Sequence, residues 1–186
     1  MTREEAIIII REHVVNENIV KHMLATEAVM GSLAKRLGGN EEEWKLAGLL
    51  HDGDYRDDVP VEKQGIQIGQ WVEEKEYTLS EEIKHAMAAH NWNNTGIAPQ
   101  SHMDWALFCA DSLTGLIVAT ALVYPDKKLA NITVDSVLKK FKSPGFAKGT
   151  RREDIAMCEE KLGIPLNEFI GIALQSMQKI SHEIGL

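Results

Sequence analysis

Cysteine is scarce in this chain, with two among 186 residues, Cys109 and Cys158. They sit apart in helical patterns without metal-ligand spacing. No disulfide framework is expected, which fits a reducing, cytoplasmic setting. Long apolar runs are also missing. Near the N-terminus only Ala6 to Ile10 is continuously apolar, too short for a secretory segment. The longest candidate membrane stretch, Ser112 to Tyr124, has 13 residues, against the ~20 that span a bilayer. Positive charge is in deficit: 20 Lys and Arg face 28 Asp and Glu, a net charge of −8. That balance argues against broad binding to nucleic-acid polymers or anionic membranes, though a local basic pocket remains compatible with it. The chain has no Gly-rich phosphate loop, Gly-x-Ser-x-Gly elbow, Cys-x-x-Cys pair, internal repeat or low-complexity tract.

What is present fits a soluble globular protein, with 44% hydrophobic and 26% charged residues. The length suits one domain, or a domain with a helical extension. The pattern is organised around Ala47-Gly48-Leu49-Leu50-His51-Asp52-Gly53-Asp54, where an apolar helix runs into adjacent histidine and aspartate. Trp44, Ala47, Gly48 and His51 share one helical face, so His51 points inward and Gly48 leaves room beside it. Asp52 would point about 100° away on a regular helix. Both side chains reach one point if the helix ends there, as Gly53 predicts. A neutral imidazole beside a carboxylate is a natural ligand pair for a divalent metal.

Two further polar residues sit inside apolar helical patterns: His22 in Val20-Lys21-His22-Met23-Leu24-Ala25, and Asp111 in Ala110-Asp111-Ser112-Leu113-Thr114-Gly115. The order His22, His51-Asp52, Asp111, with these flanks, resembles the HD-domain superfamily of metal-dependent phosphohydrolases. The resemblance covers roughly residues 15 to 125. It implies an all-α helical bundle in which His22, His51, Asp52 and Asp111 hold one or two divalent ions, of Mn, Mg, Co, Zn, Fe or Ni. An unpaired carboxylate on the apolar helix from His102 to Tyr124 would be costly to bury, and a cation at Asp111 answers that cost.

The remaining elements read as a succession of helices. Capping boxes are expected at Thr2 with Glu5, Thr78 with Glu81 and Thr150 with Glu153. Asn18 and Asn40 are read as caps of the helices that carry His22 and His51. One helix is expected from Val61 to about Lys75, and a last one from Pro165 to Ile184. The apolar stripe of that last helix, from Leu166 and Phe169 to Ile184, reads as core or as the seam of a homodimer. Residues 1–125 form the expected metal-binding core and 126–186 a C-terminal helical extension packed on it.

Around the ligand set, Asp54 is a candidate general base and Arg56 a candidate phosphate contact. His85 and His90 would lie about 140° apart on one helix. They serve one site, as ligands of a second metal or as phosphate contacts, only if His90 falls beyond the helix end. Asp104 reads as a helix-start charge. Residues 136–152 hold six basic residues and no acidic one. There, arginines lie against the dipole at a helix start, beside Gly149. Lys148 and Arg151 are accordingly candidate substrate contacts on a lid. The expected function is phosphoester hydrolysis of a nucleotide or similar small phosphorylated metabolite by metal-activated water. A di-iron oxygenase, which needs both His85 and His90, and a non-catalytic nucleotide sensor are the alternatives.

Overall fold

In the computed structural model, which describes residues 1–186, eleven α-helical segments and two 3-10 turns follow one another and no strand forms. Thr2 opens α1 (Arg3–His13) with its capping box: Thr2 Oγ1 accepts from the Glu5 amide, and Glu5 Oε2 accepts from the Thr2 amide. α2 (Glu17–Leu37) starts two residues earlier than its sequence suggests. Asn16, and not Asn18, is the cap, its Oδ1 accepting from the Asn18 amide at 3.0 Å. Asn40 caps α3 (Glu41–Leu50) through the amides of Glu42 and Glu43.

The stretch expected as one helix from Val61 to Lys75 is split. A 3-10 turn at Val61–Lys63 precedes α4 (Gln67–Glu74), and Gly65 between them has φ 90°. A Cβ there would run into the Met87 carbonyl oxygen, so only glycine lets this segment cross so close to the next helix. That helix, α5 (Glu81–His90), is capped by Ser80 and not by Thr78. A single turn, α6 (Trp92–Thr95), leads on to α7 (His102–Leu122). The extension supplies α8 (Val134–Phe141), α9 (Arg152–Leu162), α10 (Leu166–Lys179) and α11 (Ser181–Ile184). The break at Ile180 divides the expected last helix.

α7 is the axis of the bundle, contacting α2, α3, α5, α8, α9 and α10. By length and composition this helix could cross a membrane, which the 13-residue count understated, but most of its apolar surface is buried inside the protein. Phe169, Ala173 and Met177 of α10 are fully buried in the same apolar cluster as Leu33 of α2 and Leu113 of α7. The stripe on α10 is therefore covered within the chain. Burial of each such large side chain stabilises the fold by about 1.5–3 kcal/mol. The result is a rigid frame in which α2, α3, α5 and α7 each deliver a polar group to one end of the bundle.

Candidate metal centre

His22 on α2, His51 and Asp52 at the end of α3, and Asp111 on α7 offer one ligand atom each, all within 4.8 Å of one another. The Nε2 atoms of His22 and His51 are 3.2 Å apart. His22 Nε2 lies 2.9 Å from Asp111 Oδ1 and 3.6 Å from Asp52 Oδ2, and His51 Nε2 lies 3.5 Å from Asp52 Oδ2. Two donors on one ion, each at ~2.1 Å, stand roughly 3.0–3.5 Å apart. The four side chains thus fit a single divalent cation, through two imidazole nitrogens and two carboxylates.

Local structure explains the convergence. Gly48 lies against α2, where an added Cβ would be 2.9 Å from both the Thr26 carbonyl oxygen and Met30 Cγ. That closeness brings His51, one turn on, against His22. α3 ends at Leu50, and the Gly53 amide donates to the Leu50 carbonyl at 2.8 Å. The chain turns there, which swings Asp52 round to the same point as His51.

The second nitrogen of each histidine is already committed. His51 Nδ1 donates to the Gly48 carbonyl at 2.8 Å. Thr114 Oγ1 donates to the Asp111 carbonyl and accepts from His22 Nδ1 at 3.1 Å. These bonds fix the tautomers that leave both Nε2 lone pairs facing the carboxylates, an arrangement that orients metal-binding histidines. Burial is the main reason His51 is pushed down to about 4, so its Nε2 stays deprotonated at neutral pH. Burial acts against the charge on Asp52, but the neighbouring His51, His90 and His22 outweigh it and hold the carboxyl well below its ordinary range.

The model of the HD domain family matches residues 19–115, a stretch that contains all four of these residues. The chain belongs to the HD domain family. HD domains bind divalent metals, and the family is one of metal-dependent hydrolases. Among curated relatives, Ribonuclease Y of Oleidesulfovibrio alaskensis is 35% identical over 100 residues, covering 54% of this chain and 18% of that protein. Ribonuclease Y of Geobacter sulfurreducens is 34% identical over 100 residues, with the same coverage. Ribonuclease Y of Onion yellows phytoplasma is 31% identical over 99 residues, covering 53% of this chain and 18% of that protein. The match spans under a fifth of the length of these relatives. No solved structure matches the chain.

The other candidate residues, inside and beyond the HD domain, separate into two groups. His90, the last residue of α5, joins the centre: its Nδ1 donates to the Met87 carbonyl and its Nε2 lies 3.3 Å from Asp52 Oδ1. Arg56 and Arg151 line the same cavity as His22, Asp52 and Asp111. Arg56 is held bidentate by Asp58, with both bonds at 2.8 Å, and Arg151 by Asp154.

Four expectations are corrected. His85 belongs to a different cavity, where its Nδ1 bonds Asp104 Oδ2 at 2.8 Å. Because α5 stays helical through His90, the two histidines diverge as helix geometry requires. Asp104 is more than a helix-start charge, since Oδ2 also accepts from the amides of Gln100 and Ser101. Asp54 is fully buried, and its carboxylate accepts from the amides of Gly65 and Ile68 at 2.8–2.9 Å. It anchors the crossing segment and is turned away from a general-base position. Lys148 is exposed and is not on the cavity wall, although its neighbour Gly149 is.

The capping box at Thr150 is also absent, because Arg151 occupies the cap position of α9. Arg152, disfavoured at a helix start, instead donates to the Lys140 and Phe141 carbonyls at the end of α8 and to the Ser143 and Phe146 carbonyls of the loop that follows. Sequence reasoning missed Thr114, which sits three residues after Asp111 where one helical turn brings it beside its neighbour. Asn91 and Asn94, in the segment that follows α5, also line the cavity.

Proposed function

We propose that the protein is a phosphohydrolase that cleaves a phosphoester of a nucleotide or similar small phosphorylated metabolite. The observation that carries this reading is the ligand cluster, three of whose members, His22, Asp52 and Asp111, stand on the wall of an open cavity of about 730 Å³ that also carries Arg56 and Arg151, with His51 buried directly behind them. A divalent ion held by His22, His51, Asp52 and Asp111 supplies Lewis acidity toward a phosphoryl group and an acidified water. Arg56 uses Nε and Nη2 on Asp58, which leaves Nη1 for a phosphate oxygen. Arg151 adds a second positive charge on the opposite element, while Asn91 and Asn94, whose amides are spent on the Val61 and Gln64 carbonyls and on each other, shape the same wall. His90 Nε2 lies 3.3 Å from Asp52 Oδ1 at the edge of the same cavity, and in the metal-free protein its hydrogen bond to Asp52 overcomes burial and raises it to about 9. It is the group placed to pass a proton toward a leaving oxygen.

The name of the relatives favours a second reading, cleavage of the phosphodiester of RNA. The oxygenase alternative loses support because His85 faces Asp104 and cannot serve with His90. The deciding experiment loads the purified protein with Mn²⁺, Mg²⁺, Co²⁺, Zn²⁺, Fe²⁺ or Ni²⁺ and assays phosphorylated metabolites alongside an RNA oligonucleotide. Metal-dependent phosphate release from a small ester, lost in Asp52→Ala, is the expected result. Cleavage of the oligonucleotide alone would overturn the substrate class. Metabolite binding without turnover under saturating metal would identify a sensor.

A further inference from the structure

The cavity at the metal centre does not end there. A second lobe of about 490 Å³ shares Ile19, Tyr55, Arg56 and Asp57 with it, and runs on to Val15 and Asn16 between α1 and α2. The shared wall is geared to the ligand set. Ile19 precedes His22 by one helical turn, and the Tyr55 amide closes a turn onto the Asp52 carbonyl at 3.0 Å. A molecule touching these two side chains is therefore held at a fixed distance from the centre.

The character of this lobe differs from that of the centre. Of the seven large hydrophobic residues left exposed, Val15, Tyr55 and Val61 line one lobe or the other, and Val15 is 91% exposed. Apolar surface gathered at the mouth of a polar site marks a place for an organic group. Its wall carries Glu12, Asp57 and Asp58 against Arg56, and Lys75 pairs with Glu12 at 2.6 Å, which leaves a balance of −1 centred on Asp57. His13 in the same wall stacks on Trp71 at 3.9 Å, and burial first, then the charge of Arg56, lowers its pKa and keeps it neutral. A second anionic group would be repelled there.

We propose that this lobe is the subsite for the organic part of the substrate, and that it takes an uncharged aromatic ring stacked on Tyr55. The single phosphoryl group then lies at the His22, His51, Asp52 and Asp111 end, with Arg56 between the two. This rests on the phosphohydrolase reading and narrows it, from phosphorylated metabolites in general to monophosphate esters with a neutral aromatic group. A polyanionic strand would have to thread phosphates past Asp57 and Asp58.

Binding of non-hydrolysable phosphonates separates this inference from turnover. Calorimetry on the Mn²⁺-loaded protein compares methylphosphonate, phenylphosphonate and 4-carboxyphenylphosphonate, in wild type, Tyr55→Ala and Tyr55→Phe. Phenylphosphonate is expected to bind more tightly than methylphosphonate. Tyr55→Ala should shrink that ratio by roughly two- to tenfold, the range of an aromatic pair, and Tyr55→Phe should preserve it. The carboxylated ring should bind more weakly than phenyl, and Asp57→Asn should narrow that gap. Equal binding of methyl and phenyl compounds, an unchanged ratio in Tyr55→Ala, or no binding of either overturns the subsite. Selective phenylphosphonate binding by a protein that hydrolyses no ester would instead leave the subsite standing and remove the hydrolase reading.

Discussion

The Nε2 atoms of His22 and His51 face each other at 3.2 Å across 29 residues of sequence because Gly48 lets α3 rest on the backbone of α2. The nearest atoms to a Cβ at position 48 include the Thr26 oxygen and the Glu27 nitrogen, which cannot swing aside as a side chain would. Gly48→Ala should therefore separate the helices, cost about 1–3 kcal/mol of stability and weaken metal binding. Thermal unfolding with a metal titration checks both. A folded Gly48→Ala protein with wild-type metal affinity would contradict the account.

Metal content should sort the histidines. His51→Ala and Asp111→Ala are expected to lose the ion on elemental analysis, whereas His85→Ala should keep it, since that ring is bonded to Asp104 in another cavity. Stability loss alone would prove nothing, because truncating any buried polar group destabilises. Thr114→Val offers a subtler case. It removes the oxygen that orients His22 without removing a ligand, and should lower metal affinity by about 10- to 100-fold.

Asp54 tests whether a carboxylate two residues from the ligands acts in chemistry or in folding. Its oxygens are engaged by the Gly65 and Ile68 amides. Asp54→Ala would leave those amides buried and unpaired, at about 1–3 kcal/mol each. Asp54→Asn keeps an accepting oxygen and should keep most of the activity on the ester that the substrate assay identifies. A general base would behave oppositely, with Asp54→Asn losing ~10²–10⁴-fold in rate at an unchanged melting temperature.

His90 gives the metal-free protein a defined pH signature. Its pKa is raised to about 9 from an ordinary 6.5, burial being outweighed by Asp52 and Asp111. A raised value means the folded state favours the imidazolium. The resulting stability is complete below pH 6.5 and is lost as pH rises through about 9. In chelator-treated samples, the melting-temperature gap between wild type and His90→Gln should be widest near pH 6 and close toward pH 9. A gap that stays constant over that range would show that the pairing with Asp52 carries no charge.

Much of this architecture is legible in the chain because its signals are local. Asn40 caps α3, and the end of α3 at the ligand pair follows from the apolar face and Gly53. The errors arise where two local signals compete or where packing across the chain decides. Thr78 and Ser80 are both competent caps, and the fold takes the one nearer α5. Gly65 must cross α5, which splits the helix that periodicity alone would draw through it. Asp54 has the right residue type and spacing for a base, but its partners are backbone amides 11 and 14 residues on, which no side-chain pattern records.

The basic run from Lys139 to Arg152 should divide by position and not by charge. Arg151 is fixed by Asp154 through bonds of 2.7 and 3.1 Å, stacks over Phe108 at 5.8 Å and borders the cavity. Arg152 is consumed by carbonyls at the end of α8 and in the loop after it. Lys148 and Lys139 are exposed away from the cavity wall. If Arg151 contacts the phosphoryl group, Arg151→Ala forfeits a charge-assisted hydrogen bond, typically ~1.5–3 kcal/mol. That corresponds to a fall in kcat/KM of about one to two orders of magnitude, at unchanged metal content. Asp154→Asn should reproduce part of the loss by releasing the guanidinium, while Lys148→Ala and Lys139→Ala stay within about twofold of wild type, as solvated surface charges do. Steady-state kinetics on one phosphoester decides between the two patterns. Equal losses in Arg151→Ala and Lys148→Ala would mean a diffuse electrostatic attraction, and a rise in salt would then erase both.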